Sequence, residues 1–257
     1  MKFVYLPELL AATLYPLLAW QGRRTRATTP RLPEAAGQTC GLAGGAGQVT
    51  GRMRILGIGE SPVAGVGVAS QEQAITAQLA QALAGKLNVA VEWHALGQNG
   101  ARLQWARNAL RQFVNAEDGD KSAWSAWDVV LIAFGVNDTT SFCPAKTYER
   151  ELAALFNELQ NTDIRADCII LAGVPPMHVF PALPQPLRLV LGMKARVLDQ
   201  VKAKIAASLS HVRHVPFTGN FEDERLMAED GYHPSALGVS IWAEELAKIV
   251  IENRQEK

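Results

Sequence analysis

The sequence predicts an α/β fold, a five-stranded parallel sheet with helices on both faces. Three observations carry this. Short apolar runs alternate with longer amphipathic ones from residue 52 to residue 253. The short runs are apolar enough to be buried on both sides, as strands of a covered parallel sheet are. Polar, glycine-bearing stretches follow the first three runs, at the strand ends where sites gather in such sheets.

In order, residues 53–58 (MRILGI) read as a buried strand. Residues 70–86 read as a helix, with Ile75, Leu79 and Leu83 at four-residue spacing along one face. Residues 89–96 (VAVEWHAL) are a strand and 101–115 a helix. DVVLIAFG at 128–135 is a buried strand, followed by a helix over 146–160. DCIILAGV at 167–174 is the fourth strand, 190–209 a helix, 211–217 the last strand and 235–253 the last helix. Right-handed crossovers would join these strands.

At 257 residues the chain is long enough to bury a substantial core without disulfides or a structural metal. Lys plus Arg equals Asp plus Glu, 25 each, so charge gives no reason to expect a nucleic-acid partner. Cys40, Cys143 and Cys168 are scattered, which argues against a disulfide framework or a cysteine metal site. Residues 3–20 are nearly all apolar but are interrupted by Pro7, Glu8 and Pro16. They fall short of the ~20 clean apolar residues of a transmembrane helix and lack the basic start and cleavage site of a secretory signal. Arg23, Arg24, Arg26 and Arg31 follow the run, the arrangement of a segment whose flank stays cytoplasmic. Residues 1–21 therefore read as a membrane-associating helix or hairpin at the inner face of a membrane, or as a helix packed on the protein's own surface. Residues 22–51, rich in Arg, Thr, Pro and Gly, read as a linker, and 52–257 as the globular domain. The candidate chemistry all falls after residue 52, so removing residues 1–34 is expected to leave a folded enzyme.

Four stretches carry that chemistry. Gly59-Glu60-Ser61 follows the first strand, where a serine hydroxyl is exposed on a strand-to-helix turn. Gly97-Gln98-Asn99-Gly100 follows the second, and Gly100 could present an open backbone N–H. Gly135-Val136-Asn137-Asp138 follows the third, and an asparagine amide there can point at a developing oxyanion. Asp230-Gly231-Tyr232-His233-Pro234 precedes the last helix, with Asp230 spaced to meet Nδ1 of His233 and fix its tautomer. Each alone reads as a cap or a turn. Their joint order supplies a nucleophile, oxyanion donors, a base and an orienting acid. His94, His178, His211 and His214 lack an acidic partner in a comparable loop and read as structural.

These stretches resemble the blocks of the SGNH/GDSL hydrolase family, over roughly residues 52–253. The resemblance implies a three-layer, flavodoxin-like α/β/α fold and a lipase or esterase chemistry that needs no metal or other cofactor. It implies a catalytic triad of Ser61, His233 and Asp230, with Ser61 N–H, Gly100 N–H and the Asn137 side chain forming the oxyanion hole. The sequence departs from the family's GDS by having Glu60 in place of the aspartate, a longer side chain whose bonds must differ.

The leading expectation is a serine esterase acting on small-molecule carboxylic esters through an acyl-Ser61 intermediate. A thioesterase, a lysophospholipase or an acyltransferase would use the same machinery, and a non-catalytic binding domain on the same fold is a further alternative. The segment 175–192 contains Pro175, Pro176, Pro181, Pro184 and Pro186 yet is apolar. Met177, Phe180 and Leu183 are its candidate substrate-binding residues. With no extra lid visible, a shallow site preferring short to medium acyl chains is expected.

Overall fold

The structure is a computed structural model that describes residues 5–45, 50–116, 126–162, 164–218 and 223–255. Five strands run parallel: β2 (Arg52–Gly59), β3 (Ala90–Gly97), β4 (Ala126–Ala133), β5 (Arg165–Ala172) and β6 (Val212–Val215). A sixth strand, β1 (Cys40–Ala43), pairs antiparallel with β3, so the sheet order is β1-β3-β2-β4-β5-β6. The sequence reading counts five strands because the sixth is four residues of Cys, Gly, Leu and Ala with no clear in-out pattern. An antiparallel edge strand on a parallel sheet is common. The five parallel strands keep the doubly wound order of flavodoxin-like sheets, and the chain reverses direction across the sheet beside β2. The crevice that binds ligands in such sheets lies at that reversal, above the carboxyl ends of β2 and β4.

The two faces can be read from the strands' period of two. Val130 and Ile132 of β4 and Ile169 and Leu171 of β5 join one core with α4 (Trp105–Ala116), α6 (Ala145–Asn161) and α7 (Leu187–Ala206). Val129, Leu131 and Ile170 join the opposite core with α3 (Ile75–Leu87) and α8 (Ala236–Gln255). Ile75, Leu79 and Leu83 are fully buried on the sheet-facing side of α3. A short helix, α5 (Val136–Thr140), follows β4 directly.

The apolar N-terminal stretch forms two helices, α1 (Leu6–Thr13) and α2 (Tyr15–Thr28), and no described helix is long and apolar enough to cross a membrane. Pro7 and Pro16, which interrupt the run in the sequence, stand in the first turns of these helices, where the missing N–H costs nothing. Both helices dock on α7. Leu18 enters the core, and the Gln21 side chain bridges the loop before α7, donating to Gln185 O and accepting from Leu187 N–H. Lys194 of α7 is completely buried, and its ammonium is bonded to Glu8 of α1. Removing residues 1–34 would strand that charge without its partner, which typically costs ~3–5 kcal/mol. The expectation of a folded enzyme without this segment therefore does not fit the packing.

The stretch expected as a linker, residues 22–51, is largely structured where described. It holds the last turns of α2 and then a strap that wraps the site end of the sheet. Ala35 N–H donates to Ala64 O, Gln71 N–H to Ala36 O and Ala95 N–H to Thr39 O, and the strap ends as β1. Residues 1–4, 46–49, 117–125, 163, 219–222, 256 and 257 of the expected N-terminal, linker and domain segments lie outside the described residues.

Candidate active site

Ser61 stands two residues beyond the end of β2. Glu60 N–H continues the ladder to Ala133 O, and Glu60 O then accepts from Val63 and Ala64 N–H, closing one helical turn under the serine. Regular helix begins only at Ile75, after a short 3-10 turn. The small residues are required by close approach. A Cβ on Gly97 would come within 2.3 Å of Ala64 N, so β3 ends directly against the serine turn. Gly67 has φ +97°, and a Cβ there would meet Pro234 O and the His233 Cβ. That contact presses the serine loop against the histidine loop, and only glycine permits it.

In the second loop, Asp230 Oδ2 lies 2.6 Å from His233 Nδ1. Its other oxygen accepts the backbone N–H of Tyr232 and of His233, each at 2.9 Å. Gly231 supplies the positive φ that folds the carboxylate back, and Ala228 N–H ties to His233 O. Burial pushes the Asp230 carboxyl up, but the His233 ring and the two backbone amides outweigh it and hold the group below its ordinary range. The carboxylate is thus ionised and fully engaged, and Nδ1 of His233 is held as the donor. Ser61 and His233 line one small apolar cavity of about 70 Å³, together with Phe180, Met227, Tyr232 and Trp242.

The Gly97–Gly100 loop is held from outside. Glu34 of the strap accepts Asn99 N–H at 2.6 Å, and Asp138 accepts Leu103 N–H at 3.0 Å. Gly100 has φ +77° and open space where a Cβ would stand. Among the described residues, no hydrogen bond uses the N–H of Ser61 or of Gly100. Asn137 is placed differently. Its amide nitrogen donates to Glu60 Oε2 at 2.7 Å and to Ala101 O at 3.1 Å, so both hydrogens are already committed. The extra methylene of Glu60 explains this, since its carboxylate also reaches the backbone N–H of Val136 and Asn137 at 2.8 and 2.9 Å.

Burial pushes the Glu60 carboxyl up to about 7, against the pull of the Asn137 and Val136 amides; the neighbouring Asp138 adds to the rise. Lys202 lies wholly buried beneath, donating to Phe134 O and Ala172 O at the ends of β4 and β5. Burial pushes this ammonium down to about 8, with Asp199, Glu60 and Asp138 pulling it back up. Between the ordinary 4.5 and about 7, the native state keeps a proton on Glu60 that the unfolded chain has released. Stability must therefore fall as pH rises through that window. Glu60→Gln removes the titration, so urea unfolding from pH ~4 to ~8 should show the wild type losing about 3 kcal/mol relative to the variant. Parallel pH profiles would contradict the buried, late-titrating carboxyl.

Of the three candidate pocket residues, Phe180 lines the small cavity and packs edge-on against Tyr232 with ring centroids 5.3 Å apart. Leu183 lines a second, larger cavity. Met177 lines neither; it is fully buried in the core over α7, because a 3-10 turn at Met177–Val179 points it inward. Two of the histidines read as structural have acidic partners, on regular elements and not on a loop. His214 Nε2 is 2.8 Å from Asp199 Oδ1, which also accepts Val174 N–H, and His94 is 3.4 Å from Glu92. Asp199 is on α7 and His214 on β6, so no local pattern could reveal that pair; it fixes a helix to a strand below the site.

The larger cavity, of about 1040 Å³, opens on Asn99, Gly100, Asn137 and His233. Its far wall is α1, α2 and the start of the strap. Nothing in the sequence marked these as part of the site; the arginines after the apolar run read only as a cytoplasmic flank.

The family model of the GDSL-like lipase/acylhydrolase family matches residues 58–241. No curated protein sequence matches the chain. Among solved structures, the fold is similar to TesA, with a TM-score of 0.58 and 18% identity over 78% of this chain and 99% of that one. It is similar also to the psychrotrophic esterase EstA from Pseudoalteromonas sp., in a structure inhibited by monoethylphosphonate, with a TM-score of 0.54 and 18% identity over 79% and 99% of the two chains. The lipase/acylhydrolase from Enterococcus faecalis gives a TM-score of 0.53 and 19% identity over 77% and 95%.

Proposed function

The chain belongs to the GDSL-like lipase/acylhydrolase family, and from that premise we propose that it is a serine ester hydrolase working through an acyl-Ser61 intermediate. The observation that carries this reading is the Asp230–His233 pair, 2.6 Å apart, whose histidine lines the small cavity together with Ser61.

In this mechanism His233 Nε2 takes the Ser61 hydroxyl proton as Oγ adds to the ester carbonyl. Asp230, fixed by two backbone amides, holds the ring and stabilises the imidazolium. The negative charge that develops on the carbonyl oxygen meets the unspent N–H groups of Ser61 and Gly100. Asn137 supplies the third donor by sharing a hydrogen that Glu60 Oε2 or Ala101 O now accepts. Glu60 thus aims the amide and also competes with the oxyanion for it. The tetrahedral adduct collapses as His233 protonates the leaving alcohol, and water then repeats the cycle on the acyl-serine. A thioester substrate, or an alcohol acceptor in place of water, would use the same groups.

For residues 1–21, a wall of the site is the reading we favour over a membrane-associating segment. Their inner side is committed to α7 through Leu18, Gln21 and the Glu8–Lys194 pair, Tyr15 lines the larger cavity, and Tyr5, Leu9 and Trp20 are exposed. The expectation of a shallow site assumed that nothing covers it, and α1 and α2 are such a cover.

The direct test is hydrolysis of a nitrophenyl acetate by the purified chain, with and without a chelator. Release of nitrophenol at the same rate in both supports the reading. No turnover of this or any longer ester would contradict it.

A further inference from the structure

The family match begins at residue 58, so α1, α2 and the strap lie before the matched domain. They are not packed flat on it. Together with α7 they enclose the larger cavity, whose volume of about 1040 Å³ is at the upper end of the ~300–1,000 Å³ common for small-molecule sites. The lining is divided. Ala11, Ala19, Leu18, Leu187 and Leu191 make an apolar trough between α1, α2 and α7. Arg23, Arg26 and Arg31 line the part formed by the end of α2 and the strap.

The charges on this cavity do not cancel. Glu8 is bound to Lys194, and Asp230 is engaged by His233. No other carboxylate lines it, and among the described residues none makes an ion pair with Arg23, Arg26 or Arg31. Three unpaired cations thus sit on one cavity of a chain whose net charge is zero. Arg26 is near the catalytic loop: burial pushes the Tyr232 phenol up, and the Arg26 charge counters part of that rise. These three side chains are solvent-exposed, and guanidinium groups gathered on one cavity favour a phosphate, sulfonate or carboxylate over a neutral group.

We propose that α1, α2 and the strap form a substrate-recognition element, and that the substrate is an amphiphilic ester carrying both a long apolar chain and an anionic group. The chain lies in the trough against α7, the anionic group is held by Arg23, Arg26 and Arg31, and the ester is presented to Gly100 and His233 at the cavity's inner end. This rests on the ester-hydrolase reading and deepens it.

The test uses the full chain and two series of nitrophenyl esters, one uncharged and one with a sulfonate on the ring, with acyl chains from acetyl to hexadecanoyl. Each methylene buried in the trough should raise kcat/KM about fourfold, with a peak at about ten carbons or beyond. At low salt the wild type should favour the sulfonated dodecanoyl ester over the uncharged one, relative to the combined Arg23→Gln, Arg26→Gln, Arg31→Gln variant, by about tenfold or more. That preference should shrink as ionic strength rises. A second variant probes the trough without touching charge. A Cβ on Gly22 meets nothing within 4 Å and Gly22 lines the cavity, so Gly22→Phe should fill it and move the peak to shorter chains. An unchanged sulfonate preference in the triple variant, or an unchanged chain-length profile in Gly22→Phe, would overturn the proposal while the ester-hydrolase reading stood. Failure of the wild type to cleave any ester of either series would overturn both.

Discussion

Replacing Ser61 with alanine is expected to lower kcat by roughly 10⁴- to 10⁶-fold, the range seen when the nucleophile of a triad is removed. The change is sterically mild. Ser61 is buried in a turn held by backbone bonds from Glu60 O to Val63 and Ala64, none of which uses the hydroxyl. The fold, the Asp230–His233 pair and both free N–H donors should survive, so the loss belongs to chemistry alone. Initial rates on a nitrophenyl ester, with thermal unfolding of the variant alongside, separate the two. A variant that unfolds normally at the wild-type temperature and retains more than about a hundredth of the rate would remove Ser61 from the mechanism.

The second large effect should come from Asp230→Asn, with a loss in kcat of about 10³- to 10⁴-fold and little change in KM. The geometry dictates the reason. Asp230 Oδ1 accepts two backbone amides, from Tyr232 and His233, and an asparagine can keep both only by placing its carbonyl oxygen there. Its NH₂ group must then face Nδ1 of His233. Nδ1 becomes an acceptor, the ring proton moves to Nε2, and the base that should receive the serine proton is already protonated. The loop stays folded while the tautomer is wrong. Equal turnover by the variant and the wild type would mean that the 2.6 Å contact orders the loop and nothing more.

Much of this arrangement can be read from the chain because it is local. The central strands β2, β4 and β5 carry apolar runs, α3 carries its four-residue spacing, and Asp230 and His233 are three apart on one turn. What escapes sequence reading depends on distance or on a single atom. The edge strand β1 is four residues, Cys, Gly, Leu and Ala, whose pairing is decided by β3, not by its own pattern. Pro7 and Pro16 look like breaks until two separate helices give each a first turn to occupy. Asp199 meets His214 only because α7 crosses β6. Glu60 can be seen to be one methylene longer than the aspartate of the motif, but not that this length carries it to the Asn137 amide. Met177 and Phe180 share an apolar loop and both enter the core, and only the path of the chain through its 3-10 turn leaves Phe180 also lining the small cavity. The position of α1 and α2 over the site is the largest omission. It is set by Lys194, a buried cation on α7 that requires a carboxylate 186 residues earlier in the chain.

The central claim is that Ser61 is a nucleophile activated by His233, and covalent capture tests it most directly. An organophosphonate carrying an aryl leaving group should react once per chain, since only a serine beside a base attacks such a reagent readily. Digestion and mass spectrometry should place the adduct on the peptide containing Ser61, and the mass of Ser61→Ala should not change under the same treatment. An adduct mapped to any other residue, or one that persists in Ser61→Ala, would contradict the account.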